Sequence, residues 1–202
     1  TEVWVHQRGA PHLADPSRLL ASAHRVYGDQ LEPLWGLPQP VPSAQLRIIQ
    51  GGEKIGPMEV LYTPGHASHH VAFLNRANGV AFSGDVTGVR IAPSKLVLPP
   101  TVPPETDLPT WQASLQTLRQ HLPTALALPH FGLHTDVEQH LAAASELLEQ
   151  MAEQAARLEQ EEFESWLDEV IDTDGGPSLS ATYKQAGRPN ILWSGLRRYL
   201  KA

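Results

Sequence analysis

The sequence predicts an α/β fold followed by a helical C-terminal extension. Short apolar or β-branched runs alternate with helical patterns over the first 130 residues. The last 70 residues are almost wholly helical in pattern. Three apolar strands end in turns that present His66, Asp85 and His130 in that order. Alternating strands and helices favour a layered sheet, and a rigid sheet with functional side chains on its edge loops suits a rim site.

Thr1 to Val5 alternates and is β-branched, which reads as a strand. Asp15-Pro16-Ser17 opens a helix, with Asp15 as N-cap and Pro16 at the first helical position. Leu19, Leu20, Ala23 and Val26 form its apolar face, and it stops before Gly28. A proline-rich loop is expected from Pro33 to Pro42, then a short strand from Leu46 to Ile49 and a turn at Gly51-Gly52. Strands at Met58 to Tyr62 and Val71 to Leu74 flank the segment Thr63 to His70. Asn78-Gly79 is a hairpin turn into Val80 to Phe82. Residues 98 to 109 are dense in proline and predict no regular structure.

Asp107-Leu108-Pro109 starts a helix through Trp111, Leu115 and Leu118 that ends near His121. Thr124 to Leu128 reads as a strand, and Gly132 predicts a loop around His134. From Asp136, a helix N-terminal charge, Leu141, Ala144, Leu148, Met151, Ala155 and Leu158 recur at spacings of three and four. This face suits packing within the chain or across a homodimer. Two amphipathic segments close the sequence, at Leu179 to Ala186 and Ile191 to Tyr199. The expected division is residues 1–135 as a mixed domain and 136–202 as a helical extension packing on it or capping it.

The net charge is −7 and no dense basic cluster occurs, which argues against nucleic acid as a partner. There is no cysteine, so disulfides and thiolate ligands are excluded, and a metal must be held by nitrogen or oxygen. No apolar run reaches the roughly 18 to 20 residues that cross a bilayer. A cytoplasmic protein with no membrane partner is expected. The sequence opens with Thr1 inside a strand, without a basic start or apolar leader, so preceding residues are expected.

His and Asp at three strand ends are ligand types for zinc, manganese or iron. Neutral imidazoles bind a cation without oversupplying negative charge, and a carboxylate has two oxygens with which to bridge two ions. Each residue alone has a plainer reading. His66 and His130 suit surface loops, and Ser83-Gly84-Asp85 suits a turn with an Asx hydrogen bond. The three in sequence read as a metal rim.

Thr63-Pro64-Gly65-His66, then Phe82-Ser83-Gly84-Asp85, then Pro129-His130-Phe131-Gly132 resemble the metallo-β-lactamase superfamily over roughly residues 1 to 140. The resemblance implies an αββα sandwich with metals at one edge. It implies that His66 belongs to the first metal site, that Asp85 bridges two metals, and that His130 is the last histidine of the second site. Two zinc ions are implied, with manganese or iron as alternatives. The His-x-His-x-Asp-His segment of that family does not occur among the 202 residues, and His6 and His12 do not replace it. The sandwich is therefore expected to be incomplete here, and an N-terminal segment or second chain is expected to complete it. Without that cover, Val71 to Leu74 and Val80 to Phe82 expose apolar surface.

Further residues enter as expectations. His69 and His70 follow His66 where the family often has a second Gly-His. They are candidates to support a ligand or touch substrate. Arg90 lies five residues after Asp85 and is a candidate for a substrate carboxylate or phosphate. His134 is a candidate pocket residue, and the loop Pro99 to Pro104 either borders the mouth or connects rigidly. His24, His121 and His140 sit on predicted helices and are expected in solvent. The acidic stretch Glu146 to Glu169 reads as a solvated amphipathic helix.

The implied activity is metal-dependent hydrolysis of a small molecule by metal-activated water. An ester, thioester, lactone, amide or phosphoester fits the chemistry. A non-catalytic binding or assembly module on the same scaffold, or a di-iron redox relative, are the alternatives.

Overall fold

The computed structural model describes residues 1–201, with the side chains at positions 26, 27, 34 and 35 outside the description. Val26, expected on a helix face, is among those four. The chain forms two compact units, Thr1–Glu53 and the remainder from Lys54.

In the first unit, β1 (Val3–His6) pairs in parallel with β2 (Leu46–Ile49), in register from Val3 opposite Leu46 to His6 opposite Ile49. A parallel pair needs a crossover, and helices α1 (Ala10–Ala14), α2 (Ser17–Tyr27) and α3 (Leu31–Trp35) lie along it. The expected N-cap at Asp15 with Pro16 as first helical residue is corrected by one position: Pro16 is the N-cap and Ser17 opens α2, while Asp15 accepts a hydrogen bond from the Ser17 N–H at 3.1 Å just outside the helix. The loop expected from Pro33 is corrected, because Pro33 lies inside α3. A proline in the first helical turn loses no intrahelical bond.

The second unit is built on six strands in the order β3 (Lys54–Ile55), β4 (Met58–Tyr62), β5 (Val71–Asn75), β6 (Val80–Phe82), β7 (Ala125–Leu128), β8 (Gly132–His134). Neighbours are antiparallel except β6 and β7. The β6–β7 connection holds α4 (Leu108–Gln120), whose N-cap Asp107 accepts from the Thr110 N–H at 3.0 Å. The loop expected around Gly132 and His134 is instead β8, since Leu126 to Leu128 offers it a free edge.

One face of this sheet carries Leu61, Ala72, Leu74, Ala81, Leu126 and Leu128. It packs with Trp111, Leu115 and Leu118 of α4 and with Leu141, Ala144 and Leu148 of α5 (Val137–Arg157). The apolar stripe of α5 is thus buried within the chain. Truncating Leu118 or Leu141 to alanine removes about 2–5 kcal/mol of stability. On the opposite face Val60, Phe73, Phe82, Ala127 and Leu133 fall in one cross-strand row. Phe82 and Leu133 in that row are exposed.

A second core joins α5 to α6 (Gln160–Val170), α8 (Pro189–Leu200) and the extended segment around residues 89–98. Tyr183 of α7 (Ser180–Ala186) pins that segment: its hydroxyl accepts from the Ile91 N–H at 3.0 Å and donates to Leu96 O at 2.8 Å. Helix α6 starts where Glu159 and Glu162 form a capping box. Among the described residues no helix is long and apolar enough to cross a membrane.

Candidate metal centre

The turn after β4 is shaped by contact with α4. Gly65 has φ +129°, and a Cβ there would lie 2.3 Å from Trp111 Cα, so only glycine fits. Ser114 Oγ donates to Pro64 O at 2.6 Å, and the Asp107 N–H donates to Gly65 O at 2.8 Å. His66, next in sequence, is thereby set against the helix, its ring edge-on to Trp111 at 5.5 Å.

His66 Nδ1 lies 3.0 Å from Pro100 O. A carbonyl only accepts, so Nδ1 carries the proton and Nε2 keeps its lone pair. The proline-rich loop thus orients this imidazole. Burial lowers the His66 pKa, against the opposing pull of Asp85 and the Pro100 carbonyl, which keeps the ring a neutral donor.

Asp85 sits on a tight helical turn, Gly84–Thr87, directly after β6. Gly84 has φ +60°, and a Cβ there would lie 2.3 Å from His70 Nε2. Trp111 Nε1 donates to Val86 O at 2.6 Å, and the Val86 N–H donates to His70 Nε2 at 3.4 Å. His70 is therefore a packing partner of the Asp85 turn, with Nδ1 2.9 Å from Thr63 Oγ1. Burial, and then the neighbouring His66, push its pKa down to about 4.

Asp85 turns one oxygen toward each of two imidazoles. Oδ2 lies 3.9 Å from His66 Nε2, and Oδ1 lies 3.5 Å from His130 Nε2. Zinc ligands at 2.0–2.2 Å in a tetrahedron stand about 3.4 Å apart, close to both separations. The donor chemistry and spacing therefore fit half of a two-ion centre with a shared carboxylate. Among the described residues no group of three or more His, Asp or Glu is spaced to hold an ion by itself.

The other candidates are placed differently. His69 lies at the exposed rim, its Nδ1 3.9 Å from Glu105 Oε2, which also accepts from the Ser68 N–H. Arg90 is buried and forks onto Asp136 at 2.9 and 3.0 Å, so its guanidinium is not presented to a substrate anion. Asp136 is the N-cap residue of α5, as its sequence position suggests, but its side chain makes no capping hydrogen bond. Its carboxylate meets Arg90 and Lys95, which hold its pKa far below the usual range. His134 is buried on the face of β8 shared with Leu126, its ring 5.5 Å from His140. His140, expected in solvent, is 1 % exposed. It occupies the buried stripe of α5 between Val137 and Ala144, a spacing that the sequence does carry.

The model of the metallo-beta-lactamase superfamily matches residues 2–130. The chain belongs to that superfamily. The metallo-beta-lactamase fold-containing protein ST1585 of Sulfurisphaera tokodaii is 31% identical over 130 residues, covering 61% of this chain and 48% of the relative. The chain thus spans about half the length of that curated relative. The crystal structure of the archaeal superfamily protein ST1585 from Sulfolobus tokodaii superposes with a TM-score of 0.61 at 28% identity, over 74% of this chain and 57% of that one. TTHA1429 from Thermus thermophilus, a metallo-beta-lactamase family protein, gives 0.61 at 18% identity, over 100% and 66% of the two chains, and shows the fold alone. The metallo-beta-lactamase-like α/β class expected from the sequence holds.

Proposed function

We propose that these residues form the metal-binding rim of a metal-dependent hydrolase acting on a small molecule. The bond attacked is an ester, thioester, lactone, amide or phosphoester. The observation that carries this reading is the divided carboxylate of Asp85, with an imidazole nitrogen facing each oxygen. His66 and Asp85 would hold one ion, and Asp85 and His130 the other. Zinc is the first choice for these donors, and manganese or iron suit the same set. A catalytic zinc takes three protein ligands. On this reading the remaining donors come from a segment or chain beyond these 202 residues, and a cytoplasmic setting is part of the same proposal.

Bound ions of this kind lower the pKa of a water and polarise the substrate oxygen. The chain's own contribution is positional. Pro100 and Trp111 fix the His66 ring, and His70 and Trp111 fix the turn that aims Asp85. His69, exposed beside Glu105, would meet substrate at the edge on this reading.

The test compares the intact protein with Asp85→Ala by elemental analysis and by turnover of ester, thioester, lactone and phosphodiester substrates. Both metal content and turnover are expected to fall to background. Retention of both by the variant removes the basis of the proposal. Metal without turnover on the whole panel favours a binding module, and two irons per chain favour a redox centre.

A further inference from the structure

The turn that carries Asp85 is gripped from a third side by a polar chain that is buried at His140 and Arg90 and reaches solvent at Lys95. His140 Nε2 lies 2.8 Å from Thr87 O. Its Nδ1 lies 3.4 Å from Arg90 Nη1. Arg90 is fixed by its two bonds to Asp136 and by Nε donating to Ser94 O at 3.1 Å. Lys95 Nζ closes the chain on Asp136 at 2.8 Å. Arg90 and His140 are 4% and 1% exposed.

The proton positions follow from the partners. An arginine only donates, so His140 Nδ1 accepts, and Nε2 then bears the hydrogen that the Thr87 carbonyl needs. A neutral imidazole is the side chain that joins a permanent donor on one side to an acceptor on the other through a rigid ring. A buried guanidinium is expensive to desolvate, and apolar residues of like volume fill such a space as well or better. The cluster therefore has no packing rationale of its own. What it reaches is the carbonyl two residues after Asp85. The neighbouring Val86 is already held at both its N–H and its carbonyl, and Ser83 Oγ meets Thr87 Oγ1 at 2.6 Å.

We infer that His140 is a positioning residue for Asp85, holding the Thr87 carbonyl through Nε2–H in the tautomer that Arg90, clamped by Asp136, imposes. The inference rests on the metal-site reading of Asp85 for its functional consequence, but its structural part is testable without metal. Burial and the nearby Arg90 also lower the His140 pKa to about 4, which suits a ring that stays neutral.

The experiment uses the intact protein with His140→Ala, His140→Gln and Arg90→Gln, and Leu141→Ala as a control destabilised from the same helix. Hydrogen–deuterium exchange of the metal-free protein reads the amides of residues 85–88. Titration with zinc against a competing chelator reads affinity. His140→Ala is expected to speed exchange there about tenfold and to weaken zinc about 10- to 100-fold. Glutamine, which keeps an N–H donor, recovers most of both, and Arg90→Gln gives a smaller change of the same sign. Leu141→Ala changes neither selectively. If Leu141→Ala matches His140→Ala, or if glutamine recovers nothing, His140 is merely structural and the inference is overturned. If Asp85→Ala leaves zinc affinity unchanged, the metal-site reading fails and takes the functional part with it, while the exchange data still judge whether His140 holds the turn.

Discussion

His66 and His130 face the same carboxylate, yet the protein holds them by different means. His66 follows a turn that α4 shapes through Gly65, Pro64 and Trp111, and the Pro100 carbonyl fixes its ring. Its side chain is 15% exposed. His130 follows β7 on a turn where Phe131 takes φ +69°, and its side chain is 54% exposed. One flank is organised before any ion arrives, whereas the other stands at the solvent edge. The deep flank contributes to folding as well as to chemistry, so lesions there register in stability. On the proposed metal-site reading, lesions at the edge register mainly in metal binding.

The largest effect expected from this contrast is a pH dependence of the deep flank. His70 has a folded pKa of about 4 against the ordinary 6.5. The unfolded chain therefore binds more protons between these values. Stability is full above pH 6.5 and is lost as pH falls toward 4, by about 3 kcal/mol for such a shift. His140, also lowered to about 4, adds to the same window with the same sign. Urea denaturation of metal-free protein at pH 7 and at about pH 4.5 measures the slope, and equal midpoints at the two values would mean that these rings are not buried neutral.

Trp111→Phe comes next. An aromatic ring is kept, though smaller, and the buried Val86 carbonyl loses its donor, at a cost of about 1–3 kcal/mol. The urea midpoint should fall, and zinc affinity should fall with it because the Asp85 turn loosens. Unchanged stability would show that the turn does not depend on α4. The smallest stability effect is expected for His130→Gln, within about 0.5 kcal/mol as for ordinary surface changes, while zinc affinity still drops. A thermal melt beside a zinc titration of this variant separates the two quantities. A large loss of stability there would erase the distinction between the flanks.

The strands around the site are legible because apolar alternation and turn residues coincide at Met58 to Tyr62 and at Asn78-Gly79. The site itself is legible in the glycines: Gly65 and Gly84 precede His66 and Asp85 because α4 and the His70 ring leave no room for a Cβ. The helix at Leu31–Trp35 is hidden by Pro33, whose first-turn position does not oppose a helix. Strand β8 is hidden by Gly132, because its existence depends on the free edge of β7. Arg90 looks accessible because sequence distance places it near Asp85, while Asp136, 46 residues on, captures it.

The sequence alone determines the donor types, the absence of thiolates among these 202 residues, the order of the strand ends and the family that they resemble. These are properties of residue identity and local period. Only the tertiary structure decides which nitrogen faces which oxygen, that Pro100 orients His66, and that His140 reaches Thr87 across 53 positions. Such contacts join groups far apart in the chain. Their geometry is set by how α4 and α5 pack on the sheet, and no local pattern of residues encodes it.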